Sequence, residues 1–251
     1  MLKNYFKGLK AYAGTFSLIG KLGLWKFFFV PILISLVTAS SIGLLAWGLA
    51  DNVGALFAKI WIWEWGSETF RAISDFIAGI AIITIGLILY KHIILALSAP
   101  FMGVVSLTIE SHLSGNQITE KSAPFLPLLW RGIRVNVRNL MMELIFTIPV
   151  IIIGFIPVVG IISTPLLFLI QAYYAGYGNM DYTLERHLNY TQSNAFVRSH
   201  SGIATGIGTV FMLLLLLPFI GVILVLPLSV TAATTATLDC LMTSEKSTEN
   251  R

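Results

Sequence analysis

Charge is what this sequence has least of. Asp, Glu, Lys and Arg together make up 11% of its 251 residues, against about 25% in soluble domains. So sparse a charged surface cannot hold a globule of this size in water. Cysteine is nearly missing too: Cys240 stands alone, which excludes an internal disulfide and leaves the redox compartment unread. The histidines, His92, His112, His187 and His200, lack metal-ligand spacing, and no His-Glu-x-x-His run occurs. There is no Walker loop, and Gly202, Gly206 and Gly208 follow no strand, so neither direct ATP drive nor a dinucleotide loop is implied. The expectation is a chain that is not an enzyme and needs no cofactor. Its net charge of +4 needs no nucleic acid to explain it.

What it has in plenty is apolar length. Hydrophobic residues make up 56% of the chain, and the mean hydropathy is +0.84. Phe27 to Ala50 runs 24 residues without a charge, about 36 Å as a helix. Phe76 to Leu97 is nearly as long, broken only by Lys91 and His92. Each can cross a hydrocarbon core of roughly 30 Å with some tilt, so both are predicted as full spans.

Two further stretches are longer and different. Leu144 to Met180 holds 37 residues without a charge, and Ser199 to Leu238 holds 40 with only His200 titratable. Pro149, Pro157 and Pro165 punctuate the first; Pro218 and Pro227 punctuate the second. Each stretch carries a Pro-x-x-Gly unit near its middle, Pro157 to Gly160 and Pro218 to Gly221, with a further proline beyond it. Proline removes a helix hydrogen bond and kinks or ends the helix. The apolar arms are about 12 to 16 residues, a length that suits re-entrant segments better than full spans. The fold class read here is an all-α integral membrane protein, with two full transmembrane helices and two proline-broken, re-entrant helical hairpins. Two tight pairs of complete spans are the plainer alternative.

Residues 1–238 read as one membrane domain, and 239–251 as a polar C-terminal tail expected to be disordered. Within the first 26 residues, Lys3, Lys7 and Lys10 share one helical face, opposite Leu2, Phe6, Leu9, Ala13 and Phe16. That pattern suits an amphipathic helix in the headgroup layer. Lys21 and Lys26 follow with no long apolar core before them, which argues against a cleavable signal peptide. Between the two full spans, Asp51 to Asp75 carries only Lys59 and Arg71 among basic residues, together with Trp61, Trp63 and Trp65. Positive residues favour the cytoplasm and tryptophans favour interfaces. Both termini and the segment Ser98 to Asn139 are therefore expected on the cytoplasmic side of a cell inner membrane.

Arg131, Arg134 and Arg138 stack on one helical face just before the first hairpin. Guanidinium forks suit tetrahedral oxyanions, though arginines beside an apolar stretch also serve as plain headgroup anchors. Gly23, Leu24, Trp25 and Lys26 open the first span, where a helix start and a lysine favour an anion or form an ordinary interfacial anchor. Glu110, Glu143 and Asp181 are charge-pair candidates, since an unpaired acid at that depth is costly. The pairing partners expected for Glu110 and Glu143 are the arginines of the trio. Gly176-Tyr177-Gly178 lacks the Thr-Val lead of a potassium filter, and Asn179 stands where an intramembrane protease would need an acid. Gly202-x-x-x-Gly206 reads as a helix packing face.

Five blocks, taken in order, resemble the CysZ family of bacterial sulfate permeases and its wider relatives, the etoposide-induced membrane proteins. They are Gly23-Leu24-Trp25-Lys26 with Pro31; Ala99-Pro100-Phe101-x-Gly103 with Glu110, Leu113 and Gly115; and Phe155 to Gly160. Asp181-Tyr182 with His187, and Pro218, Pro227 and Ala232-Ala233-Thr234 with Asp239, complete the set. The resemblance spans roughly Gly23 to Asp239. It implies sulfate uptake feeding cysteine synthesis, partly inserted hairpins and a homo-oligomer in a lipid bilayer. It also carries an anion-binding role onto Gly23 and Leu24. Trp25 stands at the family's arginine position, and Lys26 offers charge without a bidentate fork. A membrane scaffold that shapes lipid is the rival function.

Overall fold

The computed structural model of the chain describes residues 2–58, 67–115, 124–154, 159–217 and 220–249. Every regular element among them is helical: α1 (Leu2–Lys10), α2 (Thr15–Lys21), a 3-10 turn (Leu24–Phe28), α3 (Phe29–Ala58), α4 (Ser67–Ser114), α5 (Phe125–Gly154), α6 (Val159–His187), α7 (Tyr190–Ser199), α8 (Ser201–Leu215) and α9 (Ile220–Glu249). Among the described residues, four segments are long and apolar enough to cross a membrane: Leu24–Ala55, Leu89–Ser114, Phe125–Ile153 and Leu224–Thr243. Helix is what hydrocarbon demands, because each backbone N–H and C=O must find its partner within the segment.

The chain forms two compact units, Leu33–Ile94 in one and Met1–Ile32 with Leu95–Arg251 in the other. In the smaller unit, α3 and α4 run antiparallel: Gly86 faces Ile42, Gly79 faces Ala50 and Gly54 faces Asp75. A Cβ on Gly86 would come within 2.5 Å of the Ile42 side chain, so the two helices meet where a side chain is missing. The tryptophan run Trp61, Trp63 and Trp65 lies outside the described residues, as does Lys59.

In the larger unit, glycine again sets the spacing, in a stack of three helices. α1 lies on α8, with Gly8 and Gly206 so close that a Cβ on either would sit about 3.0 Å from the other's Cα. On another face of α8, Gly208 meets Gly176 of α6, where an added Cβ would lie 2.8 Å from the Gly176 nitrogen. The small-residue face expected at Gly202 and Gly206 is thus two faces, Gly206 turned to α1 and Ala204 with Gly208 turned to α6. Helices that approach this closely gain dispersion contacts along the backbone, the main attraction left to them in lipid. α5 packs on α6, and α9 packs on both α6 and α8. Met180, Leu184, Ile203, Ile207 and Leu226 are fully buried at this centre.

Two expectations differ from the helices observed, at the N-terminal segment and at the C-terminal tail. The N-terminal segment is not one interfacial helix: α1 and α2 are separate, and Gly14 between them takes a φ of 87°, a left-handed conformation that suits glycine. The Tyr12 hydroxyl in that bend donates to the Ile207 carbonyl at 2.9 Å and pairs with Ser229 Oγ at 2.5 Å. This ties the bend to α8 and α9. Pro149, Pro165 and Pro227 lie inside α5, α6 and α9; a proline within a helix forgoes one backbone bond, and packed neighbours tolerate it. The tips at Phe155 to Val158 and at Pro218 lie outside the described residues. Finally, the tail expected to be disordered after Asp239 continues as helix to Glu249.

Candidate functional site: a buried ion-pair belt and an arginine–tyrosine face

The 37 uncharged residues of the first hairpin end at Asp181, and the next turn and a half of α6 carries Asp181, Glu185, Arg186 and His187. Because α6 is the helix on which α5, α8 and α9 all pack, these groups enter the core already paired. Arg131 of α5 grips Asp181 with two parallel bonds, Nε to Oδ2 at 3.0 Å and Nη2 to Oδ1 at 2.8 Å. Its remaining donors reach the Leu188 carbonyl at 3.1 Å and Ser193 Oγ at 2.9 Å. Arg131 is therefore a fastener that joins α5, the end of α6 and the start of α7.

A second pairing lies beside it. Arg186 donates from Nε and Nη2 to Glu110 Oε2 of α4, at 2.9 and 2.7 Å. His187 Nε2 meets the other oxygen of Glu110 at 2.6 Å. Arg186 also donates to Ser106 Oγ at 2.7 Å. From there a buried hydroxyl cluster joins Ser106, Thr183 and Thr234, at 2.9 to 3.1 Å, and so reaches α9. Ion pairs with their lone pairs filled in this way can live in a low-dielectric interior; leaving one partner alone there is strongly destabilising.

Glu185 differs from its neighbours. Its side chain is 4% exposed, and its Oε1 lies 4.0 Å from Arg186 Nη1, too far for a hydrogen bond. That oxygen has no hydrogen-bond partner and rests against Gly103 of α4. Burial first, and then the neighbouring Asp181 charge, push this carboxyl up to about 8.

One and two turns along α5 from Arg131, Arg134 and Arg138 make no such pair among the described residues. Arg134 lies over the Tyr190 ring, 4.2 Å from its centroid, and Arg138 lies over Tyr177 at 5.2 Å. Arg138 also donates to Asn139 Oδ1 at 3.3 Å. The Tyr177 hydroxyl donates to Asn194 of α7. α7 itself is started by a capping box, in which Asn189 and Gln192 each accept from the other's backbone N–H at 3.0 Å.

The candidates at the first span sit on other partners. Gly23 has a φ of 64°, left-handed and suited to glycine. Leu24 is buried, and Lys26 Nζ lies 5.4 Å from the Phe27 ring centroid. Trp25 stacks on Phe28 at 5.1 Å, half of it exposed. This turn packs on α2 and α9, whereas the arginines are on α5 against α6.

The sequence named Asp181 and Glu110 as charge-pair candidates and Arg131 as an anion ligand, whereas the fold pairs Arg131 with Asp181. Glu110 pairs with Arg186 and His187 rather than with the trio; Glu143 is buried on α5. Arg186, Glu185 and Ser193 were missed. The available signal was four ionisable residues within seven positions directly after the longest uncharged run but one.

Residues 11–226 match the family described as sulfate transporter CysZ/etoposide-induced protein 2.4. The chain belongs to that family. No individual curated protein matches it closely enough to count as a relative. Membership makes this a multi-pass membrane protein of a transporter family. The Asp181 and Glu110 blocks that resemble the family in sequence are those whose side chains carry the two buried pairings described above.

Proposed function

We propose that this chain is a permease of the bacterial cytoplasmic membrane for a small oxyanion, first of all sulfate, serving cysteine biosynthesis. The observation that carries the reading is the family match over residues 11–226. The geometry supports it in one respect: Arg134 and Arg138 lie over tyrosine rings and form no ion pair among the described residues. Guanidinium donors not engaged by a carboxylate suit an oxyanion. Lys26, Gly23 and Leu24 form a second anion-attracting turn, with Lys26 contributing the charge. Arg131 has a different part in this reading, holding α5 and α7 in register beneath the mouth.

The two helices of the second hairpin are unequal, and α8 has only 15 residues, about 22 Å of helix against a hydrocarbon core of roughly 30 Å. A helix that short favours a re-entrant arm over a full span. The surplus of Lys and Arg outside Asp51 to Asp75 favours cytoplasmic termini. A homo-oligomer, in which neighbouring copies cover the partly inserted hairpins, follows from the family resemblance. Movement of the ion needs binding strong enough to replace water and weak enough to release it; no catalytic step is required.

The test is uptake of radiolabelled sulfate into proteoliposomes holding the wild-type chain. Flux above protein-free liposomes, blocked by excess unlabelled sulfate, is expected. No flux above the empty vesicles would remove the permease reading and leave the scaffold role standing.

A further inference from the structure

The ion-pair belt holds one carboxyl more than it has guanidiniums. Arg131 is taken by Asp181 and Arg186 by Glu110, which leaves Glu185 without a cation of its own among the described residues. Glu185 nevertheless stands close to one of them. Its Oε1 is 4.0 Å from Arg186 Nη1, the one nitrogen of that guanidinium that gives nothing to Glu110. Nη1 donates to the Tyr182 carbonyl at 2.7 Å and to the Gly103 carbonyl at 3.5 Å, while Nε and Nη2 hold Glu110. One arginine thus stands between two carboxyls, Glu110 of α4 on one edge and Glu185 of its own helix on the other. The other charged groups around Glu185 are Asp181, one turn back on α6, and Arg131 of α5, which Asp181 holds. The Tyr182 hydroxyl of α6 also feels the Glu185 carboxyl. His187, on the far oxygen of Glu110, is 36% exposed and brings the belt to water.

We propose that Glu185 is a proton-binding site, and that on losing its proton it competes with Glu110 for Arg186. An ionised carboxyl whose oxygen has no donor is costly in so dry a place, and the neutral acid is not. With the proton on Glu185 the belt is balanced, two guanidiniums against two carboxylates. Burial favours the same neutral form. When the proton leaves, the donor nearest to the new charge is Arg186 Nη1, and a small side-chain rotation closes the 4.0 Å gap to a charged hydrogen bond. The guanidinium is then shared between two carboxylates, and its pull on Glu110 falls. Glu110 comes to rely on His187, and the tie from α4 to α6 weakens. The ligand is a single proton, and the site stands whether or not the chain carries an anion.

The experiment is infrared difference spectroscopy of the purified full chain in detergent as the pH is raised from about 6 to about 10. A protonated carboxyl has a carbonyl stretch of its own, separate from the bands of a carboxylate. The wild type is expected to lose one such band with a midpoint of about 8, and Glu185→Gln to lack that change. Asp239→Asn, at a carboxyl that is 58% exposed, should keep it. Glu110→Gln leaves Arg186 to Glu185 alone, so the midpoint should fall by about one unit or more. Amide hydrogen exchange over residues 103–114, corrected for the intrinsic effect of pH, reads the same sharing with Glu110 intact. It should be faster above the midpoint than below it in the wild type, and equal on both sides in Glu185→Gln. If the wild type shows no such band, or Glu185→Gln loses it as the wild type does, the proton site does not exist. An unmoved midpoint in a folded Glu110→Gln, or flat exchange in the wild type, overturns the competition for Arg186.

Discussion

Breaking the Arg131–Asp181 pair should unfold the bundle far more than breaking a surface pair would. The two side chains are 19% and 5% exposed, and two parallel bonds join them. Removing one partner of a buried pair leaves a charge in low dielectric, a loss of about 3–5 kcal/mol. The two single variants should differ. Arg131→Leu strands Asp181 beside Glu185 and frees Ser193 and the Leu188 carbonyl, so it belongs at the upper end of that range. Asp181→Leu removes a charge that helps to keep Glu185 protonated, so Glu185 can ionise near Arg131 and compensate in part, and this variant belongs at the lower end. The double variant removes the stranded charge and should lose less than the sum of the singles by about 2 kcal/mol. At about 2–4 °C per kcal/mol for a chain of this size, Arg131→Leu should lower the melting temperature by roughly 10–20 °C. Thermal stability read by size-exclusion in detergent gives all three values. Strictly additive losses, or a double variant worse than both singles together, would refute the claim that Arg131 is a fastener for Asp181.

Further outcomes follow from other contacts. Glu185 keeps its proton in the folded chain up to about pH 8, while the unfolded chain releases it near the ordinary 4.5. Its contribution to stability is therefore complete below pH 4.5 and lost as pH rises through 8. Glu185→Gln should flatten the fall in melting temperature across that window, and an unchanged slope would exclude this carboxyl as its source. Gly176→Ala should separate α6 from α8, because its Cβ would meet the Ala204 carbonyl and lie 3.0 Å from the Gly208 nitrogen. A loss of about 1–3 kcal/mol or more is expected for such overpacking, and melting at the wild-type temperature would contradict the close approach. On the permease reading, Trp25→Arg restores a fork at a half-exposed position and should lower the sulfate concentration for half-maximal uptake in proteoliposomes. An unchanged value would leave that turn outside the anion's path.

Much of the fold could be read from the residue order. Composition alone decides the solvent: with charges this rare and apolar runs this long, helices in lipid are the only arrangement that satisfies both side chains and backbone. Charge spacing also singled out Arg131, Arg134 and Arg138, because residues on one helix have fixed angular positions before any packing occurs. What sequence could not decide is which of those three would be paired. Asp181 is 50 positions from Arg131, and only the packing of α5 on α6 brings them together, leaving Arg134 and Arg138 to tyrosines. Periodicity reports one helix at a time. Whether a proline kinks or is absorbed, and which glycine faces which neighbour, depend on contacts between helices distant in the chain. Tertiary structure alone separates the arginine that pairs with a buried carboxylate from the two that lie over tyrosine rings.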